Sequence, residues 1–561
     1  MSRGDPQQLV AEYRKGRELP KYCLMKRVPY PFMKGKPFLL LDVCEGKVMG
    51  GTSVLHGMMY MRGHPWDYDR WVALGVNGWT FKDVLPYFIK SEDNRQIGTV
   101  AEPQYHGTGG YLTVQRFTDK PPLIDAILAG ARELGCDTNV DLNGKRQLGF
   151  SVTQATVRNG ERLSLAKAFI HPVLSRKNLR ISLHSMVTKV IVDPITRRAL
   201  GVQYRRRGET FTRTLIARKE VILCAGAIQS PQLLLLSGIG PASELLHVGI
   251  PVVYNLPRVG KNLVNHVSFT LNCWVSGETA HQRLNKKTLN QFLHTRSGPM
   301  ASTGLSQRVA KELMCFEYQL TGFVRLNLSD VNTPQSLPDI QVFFAGYMAN
   351  DSSTGCLDEI VCDGARYINI VPTLLRPRSK GELTLKSSDA MEPPSIKANY
   401  LQHQEDVDYL IEAIRFCERL IQTEPMRRKG VKLDTVPVAG CQHLPHGSRN
   451  YWECAIRHLT NPENHQVGTC AMGRSEMDSV LDSRLRVHGL KGLRVVDASA
   501  IPMVPSGNIN APIIMLAERG ADFIKQEHDA FLTQPASSLS PLGLLRSVLS
   551  LPSTDTSEAQ Y

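Results

Sequence analysis

The chain has 561 residues, 42% of them hydrophobic and 21% charged, proportions of a globular protein long enough to bury a sizeable core. Its 66 basic residues outnumber 52 acidic ones for a formal charge of +14. The basic residues are dispersed, with only Arg205 to Arg207 and Arg427 to Lys429 as runs, so nucleic-acid binding is not expected.

In chain order, the first 45 residues hold only Gly4, Gly16 and Gly35 and show no apolar signal core. Gly46 to Asp69 follows, reading GKVMGGTSVLHGMMYMRGHPWDYD. Gly50-Gly51-Thr52-Ser53 brings backbone amides close to a ligand without side-chain bulk, and His56, Tyr60 and Arg62 offer polar groups just beyond. Strands are expected over 179–192, 201–204 and 215–223, with Arg205 to Arg207 in a solvated hairpin before Gly208. The apolar Val221 to Leu223 then leads into GAIQSPQLLLLSGIG at Gly226 to Gly240, which reads as strand, glycine turn and apolar helix, a setting suited to a dinucleotide phosphate. Between 267 and 457, strands over 339–344, 367–372 and 381–386 accompany a helix whose Val407, Leu410, Ile411, Ile414, Cys417 and Ile421 form one apolar face for core packing.

Among the 12 cysteines there is no C-x-x-C pair and no ligand-spaced Cys/His cluster, so no metal site is expected. Pro445 between His443 and His446 places that pair on a loop. Cys441 and Cys454 would close a surface loop by a disulfide in a secreted protein, a pairing that spacing does not decide. Leu493 to Val496 is a strand, and Asn508 and Asn510 precede Ala511-Pro512 and an apolar helix over 513–524, where they are credible caps. No segment is apolar for long enough to span a bilayer, and 533–561 reads as a disordered tail.

The Gly46 and Gly226 segments together resemble the two signature motifs of the glucose-methanol-choline family of flavin oxidoreductases. Supporting blocks occur in that family's order: NGERLSLAKAFI at 159–170, VTKVIVD at 187–193, VGKNLVNH at 259–266, NHQVGTCAMG at 464–473, LRVVDASAIP at 493–502 and SGNINAP at 506–512. The first signature departs at Met49, usually a branched aliphatic, and at His56, more often Asn. The wording is most similar to the animal glucose-dehydrogenase branch. The resemblance implies an α/β chain with an FAD-binding, Rossmann-like domain over 1–266 and 458–530, interleaved with a substrate domain over 267–457 that has an antiparallel sheet and helices. It also implies an opening strand, G-x-G-x-x-G turn and helix; no glycine spacing before Gly46 supplies them, so a missing first segment is expected.

The resemblance makes His465 the general base. An imidazole of ordinary pKa about 6.5 accepts an alcohol proton near neutrality while the C–H hydrogen leaves as hydride for the flavin, turning CH–OH into C=O. Asn508 fills the second catalytic position; asparagine is no base, so its implied role is a hydrogen bond to the substrate oxygen. Val48, Gly50, Gly51, Thr52, Ser53, His56, Gly57, Met58 and Met59 are the implied flavin loop, with Asp497 and Ala498 on the flavin chain and Val187 at the adenine. The implied partners are a small alcohol or sugar and an electron acceptor, quinone or oxygen. Many animal members are secreted, which points outside the cell. Two further readings stay open on the sequence alone: a non-catalytic remnant that binds little flavin, and a flavin-assisted lyase.

Overall fold

The computed structural model describes residues 26–30, 39–43, 46–118, 120–276, 286–298, 301, 319–326, 328, 331–345 and 365–532. The expected tail at 533–561 lies outside the described residues. The fold is mixed α/β, with parallel pairing in one part and an eight-stranded antiparallel sheet in the other.

In the large sheet the strands run in the order Lys432–Leu433, Leu271–Ser276, Ala365–Leu374, Ile340–Ala345, Leu320–Val324 and Gly149–Val152, with Val267–Ser268 attached beside Ala365–Leu374 and Asn461–Pro462 beside Val267–Ser268. Gly149–Val152 comes from far earlier in the chain than its neighbours and closes one edge. Ile340–Ala345 is buried along its whole length, so alternation assigns its side chains to two covered faces. Ile340, Val342 and Phe344 share a core with the Gln404–Gln422 helix, whose Val407, Leu410, Ile411, Ile414, Cys417 and Ile421 are all buried as the periodicity requires. Phe343, on the opposite face, packs with Phe323, Val371 and Leu375 against Met59 and Met61 of the glycine-rich loop. Gln341 alternates onto that same face.

The other half is built on Val221–Leu223, paired in parallel with Leu493–Val495, so residues some 270 positions apart in sequence are adjacent. Val221–Leu223 runs directly into the Gly226–Leu236 helix, as expected. Among the described residues its opposite edge has no strand partner, and Ile222 is 40% exposed. Ser185–Val192, Ala199–Arg206 and Arg213–Ile216 form a separate antiparallel sheet, with Gly208 at φ 85° in the basic hairpin. One expectation is corrected here: the strand expected from Leu179 starts only at Ser185. Leu179, Ile181 and Leu183 stay exposed because no described strand lies beside them to complete a ladder.

A buried ionic layer lies under the loop. Arg62, 1% exposed, pairs with Glu92 at 2.8 Å, and His106 bridges Glu92 and Asp141 at 3.0 Å each. Arg62 also donates to the Tyr105 carbonyl and to Tyr60 Oη at 3.3 Å. This corrects the reading of Tyr60 and Arg62 as ligand groups: both are spent on holding the loop to the protein.

Candidate functional site

Two residues of the Gly-Gly-Thr-Ser run take backbone angles that favour glycine, Gly50 at φ 96° and Gly51 at φ 56°. A Cβ on Gly50 would come within 3.1 Å of Ala166 N, whereas one on Gly51 would meet nothing within 4 Å. The loop is therefore packed on one side and open on the other. Its hydroxyls are used internally: Thr52 Oγ1 accepts from Gly46 N at 3.2 Å, and Ser53 Oγ donates to Gly50 O at 2.5 Å while accepting from Leu165 N at 2.9 Å. Gly51 N donates back to Val48 O at 2.8 Å, closing the turn.

His56 stands at the end of this loop. Its Nδ1 accepts from Met58 N at 2.9 Å and lies 3.2 Å from Arg162 Nη1, which leaves the ring proton on Nε2. His56 Nε2 is buried and has no hydrogen-bond partner among the described residues. Burial first, and then the Arg162 charge, hold this ring down at about 3, so it is a neutral donor at physiological pH. Past Gly57, Met58 turns through φ 63° with its carbonyl accepting from Thr156 N at 2.9 Å, and Met59 Sδ sits 3.6 Å from Gln341 Nε2.

From the C-terminal side come His465 and Asn508. Val264 and Val467 form an antiparallel bridge, and His465 N donates to Asn265 Oδ1 at 2.8 Å, which seats His465 beside the 259–266 block. Asn508 Nδ2 is 3.3 Å from His465 Nε2, and Gln341 Nε2 donates to Asn508 Oδ1 at 3.2 Å. His465 Nδ1 is 2.9 Å from His266 Nδ1. Burial alone holds His465 down at about 4, so its ring is neutral at pH 7. Gln341 Nε2 reaches both Asn508 Oδ1 and Met59 Sδ, which ties the glycine-rich loop to the same cluster. Asn508 spends its side chain on this cluster rather than on capping the Asn510–Leu532 helix.

Asp497 and Ala498 end the Leu493–Val495 strand. Asp497 Oδ2 accepts from Gly226 N at 2.9 Å and Ser230 Oγ at 2.5 Å, and Oδ1 from Ser499 N at 2.8 Å. Asp497 thus clamps the glycine turn after Val221–Leu223 to the strand that pairs with it. Val187 lies on Ser185–Val192 and is 36% exposed. Cys441 and Cys454 form a disulfide, a pairing that spacing left open. His458 Nδ1 lies 3.7 Å from both sulfurs, but with the two sulfurs bonded to each other they offer no thiolate to a metal.

The residues missed by sequence reasoning are His266, Gln341 and Arg162. The VGKNLVNH block carried His266 in plain view, but nothing in it indicates a second histidine 199 positions away. The open side of Gly51, the unpartnered His56 Nε2 and the buried, unpartnered Gln341 Oε1 are polar groups available to a cofactor, a donor set that suits the ring of a flavin; Gln341 also touches Asn508, which lies beside His465.

Residues 39–268 match the family model for the N-terminal part of GMC oxidoreductases, and residues 377–517 match the one for the C-terminal part. The chain is 46% identical over 484 residues to glucose dehydrogenase [FAD, quinone] of Drosophila melanogaster, covering 86% of this chain and 74% of that protein. It is 35% identical to the mitochondrial choline dehydrogenase of Homo sapiens, over 86% of this chain and 76% of the relative. Among solved structures it superimposes on a formate oxidase of Aspergillus oryzae with a TM-score of 0.78 at 24% identity, covering 91% of this chain and 89% of the other.

Proposed function

The chain belongs to the GMC family of FAD-dependent oxidoreductases acting on CH–OH groups, and from that premise we propose that it oxidises an alcohol or sugar hydroxyl to a carbonyl with His465 Nε2 as proton acceptor. The observation that carries this reading is the His465–Asn508 pair, its Nε2 to Nδ2 distance 3.3 Å, with His465 buried, Asn508 half-buried and Gln341 joining Asn508 to Met59 at the end of the glycine-rich loop. FAD, when bound, supplies the two-electron acceptor that takes the carbon-bound hydrogen as hydride.

With its pKa held near 4, His465 stays unprotonated on Nε2 at neutral pH, its lone pair facing Asn508 Nδ2. The substrate hydroxyl proton passes to that lone pair as the C–H bond is broken. Asn508 Nδ2 donates toward the same point and would hydrogen-bond the substrate oxygen as negative charge develops there; Gln341 fixes the amide so that Nδ2 and not Oδ1 faces the site. Met59, Met61, Phe323 and Phe343 form an apolar wall that keeps water from the pair. Val48, Gly50, Gly51, Thr52, Ser53, His56, Gly57, Met58 and Met59 would hold the flavin ring, Asp497 and Ala498 its chain, and Val187 the adenine.

The 46% identity to a glucose dehydrogenase described with quinone favours a sugar or related polyol as substrate and quinone as acceptor. The Cys441–Cys454 disulfide supports an oxidising, extracellular setting. In the FAD-loaded protein, His465→Ala should lower single-turnover reduction of flavin by alcohols on the order of 10²- to 10⁴-fold while flavin content stays near wild type. Reduction within a few-fold of wild type would remove His465 from this role.

A further inference from the structure

The contact between His465 and His266 is between two Nδ1 atoms, 2.9 Å apart, with the rings 87° to one another. A hydrogen bond between two imidazole nitrogens needs one proton, so one ring donates and the other accepts. Which does which decides whether His465 presents a lone pair or an N–H to the site.

The amide chain on the far side of His465 settles the direction. Gln341 Nε2 donates to Asn508 Oδ1, so Asn508 presents Nδ2–H to His465 Nε2, which must accept. The His465 ring proton is then on Nδ1 and donates to His266 Nδ1. His266 is fully buried, and burial first, then the neighbouring His465, hold it well below its ordinary pKa, so it carries a single ring proton, on Nε2.

Resting on the assignment of His465 as proton acceptor, we infer that His266 is a positioning residue that holds His465 in the Nδ1–H tautomer. The step balances on His465 alone: the substrate hydroxyl proton goes to Nε2, Nδ1–H stays in place, and the resulting imidazolium keeps its hydrogen bond to the neutral His266 Nδ1. A second proton does not follow onto His266, because two adjacent buried imidazolium ions would repel each other without solvent to screen them. A base reduced to a pKa of about 4 by burial gains from such an acceptor, since the hydrogen bond strengthens as His465 becomes charged.

Two measurements test this on the full FAD-loaded chain. Nitrogen-15 NMR of histidine-labelled wild type, with assignments from His465→Gln and His266→Gln, should show His465 protonated at Nδ1 and His266 at Nε2; His465 protonated at Nε2 overturns the inference without any variant having to turn over. In single-turnover reduction by an alcohol, His266→Phe, which fills the space but accepts nothing, should lose on the order of 10²-fold in rate with substrate affinity changed less than about 3-fold. His266→Gln, whose Oε1 can accept from Nδ1–H, should recover most of that loss. A wild-type rate in His266→Phe, or a folded His266→Gln as slow as His266→Phe, overturns it. The base assignment beneath it fails separately, if His465→Ala itself retains the wild-type rate.

Discussion

Removing Glu92 and Arg62 together should cost the protein less than the sum of their separate removals. Arg62 is 1% exposed and Glu92 fully buried, and their 2.8 Å contact is not diluted by solvent. The layer holds two cations, Arg62 and His106, against two carboxylates, Glu92 and Asp141. Glu92→Leu leaves two cations facing one carboxylate, and breaking a buried pair in this way costs about 3–5 kcal/mol because the abandoned charge has no water. Arg62→Met should cost a similar amount and also loses the donation to the Tyr105 carbonyl and the stacking over Phe88 at 5.2 Å. In the double variant the His106–Asp141 contact remains and the layer is again neutral, so a favourable coupling of about 2–3 kcal/mol should appear. Equilibrium urea unfolding followed by tryptophan fluorescence reads this, with fully buried Trp71 and Trp79 as local probes. Single variants within about 1 kcal/mol of wild type, or a double variant equal to the sum of the singles, would refute the reasoning.

The same layer predicts a stability window in pH. His106 is raised above its ordinary 6.5 by its bonds to Asp141 and Glu92 despite burial, so its contribution is complete below 6.5 and is lost as pH rises through the raised value. Glu92 and Asp141 are lowered below 4.5 and 3.8 by Arg62 and His106 despite burial, so theirs is present above those values and fades as pH falls through the lowered ones. Melting temperature measured against pH should therefore show a plateau from about 4.5 to 6.5 whose alkaline limit disappears in His106→Gln, at a lower melting temperature; an unchanged profile would remove the network from acid–base stability. Leu410→Ala, at a fully buried position of the Gln404–Gln422 helix, should destabilise by about 2–5 kcal/mol in the same urea assay, and a change under about 1 kcal/mol would mean that the helix face is not packed as described. Asp497→Asn replaces an oxygen that accepts from Gly226 N and Ser230 Oγ or turns an amide donor against them, and should cost about 1–3 kcal/mol together with measurable flavin loss on gel filtration; full flavin retention and unchanged stability would count against the clamp.

Local pattern was enough for the elements that declare themselves in short windows. The Gly226–Leu236 helix after Val221–Leu223, the basic hairpin around Gly208 and the apolar face from Val407 to Ile421 follow from glycine placement and helical or alternating periodicity, which depend on neighbours a few residues apart. The motif resemblance implied one site for His465, Asn508 and the glycine-rich loop; in the structure Asn508 lies 3.3 Å from His465, and Gln341 joins Asn508 to Met59 of that loop. The start of the Ser185–Val192 strand was misjudged because Leu179, Ile181 and Leu183 alternate correctly yet have no described strand to pair with.

What only the tertiary structure decided is the electrostatic state of those side chains. Arg62 reads as an open polar group in its motif, but Glu92 and His106 arrive from a separate segment and bury its charge. His465 reads as an ordinary histidine, but packing removes its water and sets His266 and Asn508 on its two nitrogens. Sequence spacing carries the identity of a base; its tautomer and its pKa depend on dielectric and on partners hundreds of residues away, and those exist only once the chain has closed around them.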